Sequence, residues 1–185
     1  MPETSSLPVI VGVDVGPVHS AAAVLDEHAI WHLGPLTLND DHTLACAQFR
    51  AQLLRLVRRF QSGRMVVEGF EWHGKVTHVE PRLHELIGVA RSLSSVVLVD
   101  VVWPNVWQEA IVGHRASGMN HGWSTGSWKR EVRQAVLLQL KARGIPRGEE
   151  WIGDDPGNHK ADAVGIALYG ADCARLSKLH CAISS

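Results

Sequence analysis

The sequence predicts a single α/β domain, residues 1–185, with a mixed five-stranded sheet and helices on both faces. Short apolar runs rich in valine and isoleucine are typical of buried strands, and the first three are separated only by short turns, as antiparallel strands are. Amphipathic helical segments separate the remaining runs, and such crossovers join parallel strands. A hydrophobic content of 45% indicates a folded protein with a sizeable core.

Each strand is expected where an apolar run meets a turn or a breaker residue. Residues 9–15 form a continuous apolar run up to Asp14, which is typical of a strand buried on both faces. The turn Asp26-Glu27-His28 separates the second strand from the third, and Pro104 stops the fifth. The expected strands span residues 9–15, 20–25, 29–36, 64–67 and 96–102.

Each helix is expected where apolar residues recur at the helical period. Asp40 or Asp41 can cap the first helix, which continues to Phe60 and ends before Gly63. Ser127 can cap the fourth helix at the end of a polar segment. The other expected helices span residues 81–93, 106–112, 128–143 and 159–179, and polar loops cover 113–126 and 147–158.

Composition restricts the classes of function. The formal charge of −1 provides no overall attraction to nucleic acid, although 13 of the 18 basic residues are arginine, whose guanidinium suits phosphate. The three cysteines show no paired spacing and the histidines no zinc-ligand spacing, which argues against a disulfide scaffold or a cysteine-based zinc site. Because the sequence has no signal-like start and no apolar stretch of membrane-spanning length, we expect a cytoplasmic protein without membrane contact.

Four side chains form the predicted active site. Asp14 ends the first apolar run and Glu68 ends the fourth, and an ionised carboxylate at the tip of a buried strand must be paired or bound to a metal. Sites form beyond the carboxyl ends of parallel strands, so we expect the two carboxylates there together. His159 and Asp162, three residues apart, share one face of the last helix. This set predicts a site for hard divalent cations and metal-assisted chemistry on phosphate.

The order and spacing of these residues resemble the RuvC family of Holliday-junction resolvases, which belongs to the RNase H-like superfamily. The resemblance covers residues 9–175 and implies an RNase H-like fold. Its main motifs are Gly12-Val13-Asp14-Val15-Gly16, Val66-Val67-Glu68-Gly69 and His159-Lys160-Ala161-Asp162-Ala163-Val164-Gly165-Ile166-Ala167. Looser matches to the family's proline and to its glycine-ended helix are Trp103-Pro104-Asn105 and Ile111-Val112-Gly113.

The resemblance also implies a catalytic role for all four residues. Asp14, Glu68 and Asp162 match the family's acidic ligands for two Mg²⁺ or Mn²⁺ ions, which lie about 3.5–4 Å apart in such sites, and Asp14 is expected to bridge them. His159 matches a position that is Asp in some members and His in others, and is expected to bind metal or position water. The implied reaction is paired hydrolysis of phosphodiester bonds in branched DNA, chiefly Holliday junctions, leaving 5′-phosphates. Two symmetric cuts require two sites and predict a homodimer.

The predicted DNA contacts depart from the family pattern. Lysines near the glycine-ended helix hold the DNA backbone in the family, whereas Gln108 and Arg115 stand nearby here. Segment 119–130 resembles an insertion relative to bacterial members, and its basic residues at a helix start are expected to replace the missing contact. Three other tryptophans, Trp31, Trp103 and Trp107, are expected in the core or an interface. The expected DNA-binding residues are Phe70, Trp72, Lys75, Arg115, Trp123, Trp128, Lys129 and Arg130.

Several functions stay open at this point. The departures fit a phage-type resolvase or a broader nuclease of branched DNA. One alternative is an RNase H-like nuclease that acts on flaps, forks or RNA–DNA hybrids with the same metal site. Another is a non-catalytic protein that binds junctions and does not cut them. A nucleotide-binding ATPase of the same broad fold is disfavoured, because no second glycine-rich phosphate loop accompanies the Gly-x-Asp-x-Gly motif.

Overall fold

A single sheet organises the part of the chain that the structure describes. The structure is a computed structural model that describes residues 8–70, 80–114, 126–155 and 157–184. Its strands are β1 (Ile10–Asp14), β2 (Ser20–Leu25), β3 (Ile30–Leu36), β4 (Arg64–Glu68) and β5 (Leu98–Val102). They lie in the order β3-β2-β1-β4-β5 and form one five-stranded sheet. The predicted number of strands and all five predicted positions are confirmed.

The sheet is mixed, as predicted. β1 pairs antiparallel with β2, and β2 pairs antiparallel with β3. β4 then runs parallel to β1, with Val13 opposite Val67, and β5 runs parallel to β4, with Glu68 opposite Val102. The parallel pairing of β1 with β4 brings Asp14 and Glu68 to the same edge of the sheet.

Helices cover both faces of the sheet. They are α1 (His42–Phe60), α2 (Glu80–Arg91), α3 (Pro104–Val112), α4 (Gly126–Ala142), α5 (Gly148–Ile152) and α6 (His159–Ser184), with a 3₁₀ turn over Ser92–Ser95. Side chains of Val11, Val13 and Val67 pack with α1 and α2 on one face. Ile10 and Val66 point the other way and pack with α3, α4 and α6. Alternate residues of a strand point to opposite faces, so buried strands that are apolar throughout supply both cores.

Differences from the predicted elements follow from local chemistry. α3 begins at Pro104, two residues before the predicted start, because proline at the first helical position has no N–H to leave unpaired. α5 lies inside the predicted polar loop, where Glu149 and Glu150 occupy its first turn and suit the helix dipole. α6 continues to Ser184, beyond the predicted end at residue 179. No helix in the described parts of the chain is long and apolar enough to cross a bilayer.

The three tryptophans expected in the core or an interface differ in their exposure. Trp107 is fully buried, whereas Trp31 and Trp103 are 54% and 48% exposed. The indole of Trp31 donates a hydrogen bond to the Asp26 carboxylate at 2.8 Å, on a strand that forms an edge of the sheet. Trp31 and Trp103 therefore lie outside the core, because side chains on an edge strand or before a helix have an open side, and their place in an interface stays a prediction.

Candidate active site

The parallel strands β1 and β4 place two carboxylates side by side. Asp14, the last residue of β1, is 5% exposed. Glu68, the last residue of β4, is partly buried, and its side chain is within hydrogen-bonding reach of Asp14. The two strand-end carboxylates therefore lie together, as predicted.

Helix α6 reaches this sheet edge because small residues let it lie directly on β1. A Cβ built on Gly12 would lie 2.7 Å from the Ala167 Cβ, and closer still to the carbonyl oxygen of Ala163. Such distances are well inside van der Waals contact, so the helix could not approach a larger residue this closely. The glycine of the Gly-x-Asp motif and the alanines of α6 therefore serve the same contact, which sets the height of the helix above Asp14.

The start of α6 brings its two functional side chains to Asp14. The Nδ1 atom of His159 lies 2.7 Å from the Oδ2 atom of Asp14. Asp162 lies one turn further on, where its charge helps to raise the pKa of Glu68 and the charge of Asp14 helps to raise its own pKa. Asp14 is thus the centre of the cluster, with Glu68, His159 and Asp162 around it.

A short loop holds this first turn in place. The Asp155 carboxylate accepts a hydrogen bond from the Lys160 backbone N–H at 2.6 Å, at the helix N-terminus, where an anion is favoured. The Asn158 carbonyl accepts the Asp162 N–H at 2.8 Å, and the Asn158 side-chain amide donates to the Lys129 carbonyl at 2.6 Å. Asn158 therefore ties the beginning of α4 to the beginning of α6.

Crowding of acidic groups raises the pKa of two carboxyls well above the usual range. For Glu68, burial is the largest cause, followed by the charge of Asp14 and a hydrogen bond shared with it. For Asp162, burial again comes first, followed by the charge of Asp14, while the Lys129 ammonium opposes the shift. Positive charge nearby would favour the ionised forms of Glu68 and Asp162.

His159 is stabilised in its charged form by the Asp14 carboxylate. Its hydrogen bond to Asp14 is the largest cause that raises the pKa of His159, burial opposes it, and the negative charges of Asp14 and Asp155 add to it. The ring of His19, in the loop between β1 and β2, lies 5.8 Å from the His159 ring, centroid to centroid. His159 is therefore held by an acceptor on one side and a neighbouring ring on another.

Trp107 is a site residue that sequence reasoning placed only in the core or an interface. It is fully buried in α3, and its indole Nε1 donates a hydrogen bond to Oε1 of Glu68 at 3.0 Å. A Cβ built on Gly165 would lie 2.6 Å from the Trp107 ring, so this glycine of α6 leaves room for the indole. The sequence indicates only that a buried indole N–H must find an acceptor, and the separation of 39 residues between Trp107 and Glu68 hides which one it is.

The predicted DNA-binding residues have different positions. Trp72, Lys75, Arg115 and Trp123 lie outside the described residues. Lys129 and Arg130 are exposed in the first turns of α4, and the Lys129 ammonium lies 3.4 Å from the Gly157 carbonyl oxygen. Phe70 is partly buried, and its ring meets that of His84 edge-on at 5.6 Å.

Trp128 requires a correction, because it is 6% exposed and packs in the core. Its indole Nε1 donates a hydrogen bond to Oε1 of Gln108 at 2.8 Å. A ring this deeply buried offers no face on which a base could stack. The bond joins α4 to α3 at Gln108, near the positions where the RuvC family has lysines, and it orients the turn that carries Lys129.

The donor set suits hard divalent cations. Three carboxylates supply oxygen ligands, which Mg²⁺ and Mn²⁺ prefer, and an imidazole supplies a nitrogen that Mn²⁺ accepts readily. Burial and, after it, the charge of Asp14 raise the pKa of Glu68 and Asp162, and a cation among the carboxylates would oppose both effects.

Comparisons with known proteins identify the fold. The sequence matches neither a protein-family model nor a curated protein sequence. The structure is similar to RuvC of Thermus thermophilus, with a TM-score of 0.68 and 20% identity over 91% of this chain and 96% of that chain. It is also similar to the yeast mitochondrial Holliday junction resolvase Ydc2, with a TM-score of 0.62 and 12% identity over 97% and 87% of the two chains.

A viral resolvase shares the architecture. The fowlpox virus resolvase, solved with its substrate Holliday junction DNA, has a TM-score of 0.56 and 13% identity over 89% of this chain and 97% of that chain. Bacterial, mitochondrial and viral resolvases thus share the overall fold of this chain. The chain has the RNase H-like fold of RuvC and the other Holliday junction resolvases, as its motifs predicted.

Proposed function

We propose that this protein is a divalent-metal-dependent endonuclease that resolves Holliday junctions. The observation that carries the proposal is the cluster centred on Asp14, where β1, β4 and α6 bring together Glu68, His159 and Asp162. A structural role for so many acidic groups at one sheet edge would cost stability, whereas a metal-binding role explains their crowding.

The proposed roles follow from position. Asp14, at the centre, is the residue that would contact both ions, and Glu68 and Asp162 would each complete the shell of one. His159 either adds a nitrogen ligand or orients water, because its ring already bonds to Asp14. Two divalent ions held by these residues would supply activation of water for in-line attack and stabilisation of the leaving 3′-oxygen, and the product would carry a 5′-phosphate.

Lys129 is proposed to replace a basic contact of the RuvC family. Its ammonium charge acts on both His159 and Asp162, so it lies beside the cluster, where it could contact the DNA backbone. Helix α3 corresponds to the helix near which the RuvC family has its lysines. It carries the uncharged Gln108, whose side-chain oxygen accepts a hydrogen bond from Trp128. The first turn of α4 therefore supplies the positive charge that α3 lacks.

Branched DNA is the proposed substrate. The Thermus thermophilus RuvC and the fowlpox virus resolvase have both been solved with Holliday junction DNA, and both share this fold. A four-way junction has two-fold symmetry, and two symmetric cuts require two active sites. We therefore propose that the protein acts as a homodimer.

A cleavage assay with four substrates tests the proposal. Wild-type protein in Mg²⁺ is expected to cut a four-way junction in preference to a flap, an RNA–DNA hybrid and a plain duplex, leaving 5′-phosphates. Asp14→Asn is expected to abolish cutting while it still folds and binds the junction, because it removes a ligand and relieves carboxylate repulsion.

Each contrary result selects a different function. Preferential cutting of flaps or hybrids would identify an RNase H-like nuclease with another substrate. Tight junction binding without cutting by the wild type in Mg²⁺ or Mn²⁺ would identify a junction-binding protein. Near wild-type cutting by Asp14→Asn would show that the active site lies elsewhere.

A further inference from the structure

A second cluster of metal-ligating side chains lies between α1 and α2, away from the carboxylates. It consists of His42, Cys46 and Glu85, and we call it the helix-pair cluster. One nitrogen, one sulfur and one oxygen atom of these residues all lie within 4.8 Å of one another. α1 and α2 pack on the face of the sheet opposite to α6, which carries His159 and Asp162. The helix-pair cluster is therefore separate from the proposed active site.

The local structure of α1 aims two of the ligands at the same point. Asp41 caps the helix by accepting a hydrogen bond from the Leu44 N–H at 2.9 Å, which makes His42 the first helical residue. His42 and Cys46 are four residues apart and share one face of the helix. A preformed helix thus presents an imidazole and a thiol together, with no loop to order on binding.

A single oxygen atom of α2 completes the cluster. Oε2 of Glu85 contacts Nε2 of His42 and lies 4.0 Å from Sγ of Cys46. An exposed His–Glu pair alone contributes little to stability and gives no reason for the thiol to approach the same oxygen. Convergence of all three atoms on one point is the arrangement that a shared cation requires.

We propose that the helix-pair cluster binds Zn²⁺, or a similar borderline-soft divalent cation, and clamps α1 to α2. Imidazole, thiolate and carboxylate are the ligands of zinc, at about 2.0–2.3 Å, so its tetrahedral ligand atoms lie within about 4 Å of one another. Small side-chain rotations would bring the three atoms to that spacing. Mg²⁺, which prefers oxygen ligands, has only one carboxylate here.

The fourth position and the charge also suit this cation. The side chains of His42 and Glu85 are 43% and 54% exposed, so water has access to a fourth coordination position. Binding would release the thiol proton to solvent as the sulfur becomes a thiolate ligand, and one thiolate with one carboxylate would balance the charge of the cation.

Arg82 adds rigidity on the α2 side. Its Nη2 atom donates a hydrogen bond to the Asn39 carbonyl at 2.5 Å, which joins the first part of α2 to the residues before α1. The two helices are thus already held at one position next to the helix-pair cluster. A cation there would stabilise a contact that exists without it.

Thermal unfolding with added Zn²⁺ tests the proposal. Near 100 times Kd, Zn²⁺ is expected to raise the Tm of the wild type by about 5–10 °C. Cys46→Ser and His42→Ala should each lose most of this shift with little change in the Tm of the metal-free protein, because both side chains are partly exposed. Cys173→Ser, a matched change in a partly buried cysteine of α6, should keep it.

Cobalt(II) provides a readout that is specific for the thiolate. Co²⁺ bound to wild type and to Cys173→Ser should show thiolate-to-cobalt absorption in the near ultraviolet, and Cys46→Ser should not. Asp14→Asn should keep the thiolate-to-cobalt absorption, because the active site contains no thiol, and this separates the two sites. A Zn²⁺ shift that survives in both Cys46→Ser and His42→Ala, or absorption that is lost with Cys173 instead, would overturn the proposal.

Discussion

Single residues at the sheet edge have two kinds of role. Asp14, Glu68, His159 and Asp162 are the groups proposed to touch metal or substrate. Trp107 acts through one of them, because its buried indole donates to Oε1 of Glu68 at 3.0 Å. Because this hydrogen bond holds Oε1, the Glu68 carboxylate keeps one orientation, which favours a defined coordination geometry.

Replacing Trp107 with Phe tests this positioning role. The ring packing is largely kept, whereas the hydrogen bond to Glu68 is lost, so cleavage at low Mg²⁺ should fall by about 10–100-fold. Raising Mg²⁺ should restore much of the rate, which a purely structural defect would not show. Trp151→Phe, a change in a partly exposed tryptophan of α5, is the control. Wild-type rates for Trp107→Phe at limiting Mg²⁺ would remove it from the site.

Helix α6 and strand β1 form the contact on which the active site depends. Small residues on both sides allow it, and a Cβ at Gly12 would meet Ala163 and Ala167 within contact distance. Since backbone atoms are among the obstacles, a side-chain rotation cannot relieve the clash.

Gly12→Ala is therefore expected to move α6 away from β1. The free energy of unfolding should fall by about 1–3 kcal/mol, as overpacking typically costs. The cleavage rate should fall by more than the loss of folded protein explains, because His159 and Asp162 move with the helix. Gly88→Ala is the matched control, since a Cβ there meets nothing within 4 Å and alanine favours the helix. Equal activity and stability in both variants would show that the contact is unimportant.

The beginning of α4 is the element proposed to hold the DNA backbone. Lys129 is exposed there and lies beside the cluster. Lys129→Ala should weaken junction binding and lower the slope of log K against log salt by about 0.9, the loss of one phosphate contact. Lys141→Ala, an exposed lysine in the last turn of the same helix, is the control. Titration at several salt concentrations measures both slopes, and equal slopes would contradict the assignment.

The whole molecule presents one proposed active site per chain, at one edge of the sheet. A Holliday junction has two strands to cut at symmetric positions, so one chain cannot make both cuts without rebinding. This is the physical basis of the proposed homodimer.

Mixed dimers test it. A dimer of one wild-type and one Asp14→Asn subunit should bind the junction and leave it nicked on one strand, whereas the wild-type dimer yields two paired cuts. Sedimentation should give twice the mass of a chain, and a supercoiled cruciform plasmid distinguishes a nicked circle from a linear product. Paired cuts by the mixed species, or a monomer in solution with junction, would contradict the proposal.

Local pattern was sufficient for most elements of the fold. The apolar runs located every strand, and the helical periods located α1 to α4 and α6, because buried strands and amphipathic helices repeat their contacts at short sequence distance. The short helix α5 was missed, since five residues carry too little periodicity to stand out in a polar segment. Trp128 was placed on the DNA because its sequence neighbours are polar, although the fold turns it inward.

The sequence by itself determined which four residues form the candidate active site, because strand ends and an i,i+3 helix pair are local features. Only the tertiary structure decided what surrounds them: Trp107 on Glu68, Asn158 between α4 and α6, and Gly12 beneath the helix. The helix-pair cluster shows the same division, since Glu85 lies 39 residues from Cys46 and meets it only where two helices pack. Contacts between distant segments depend on how elements pack, and that information is not carried by the spacing of residues along the chain.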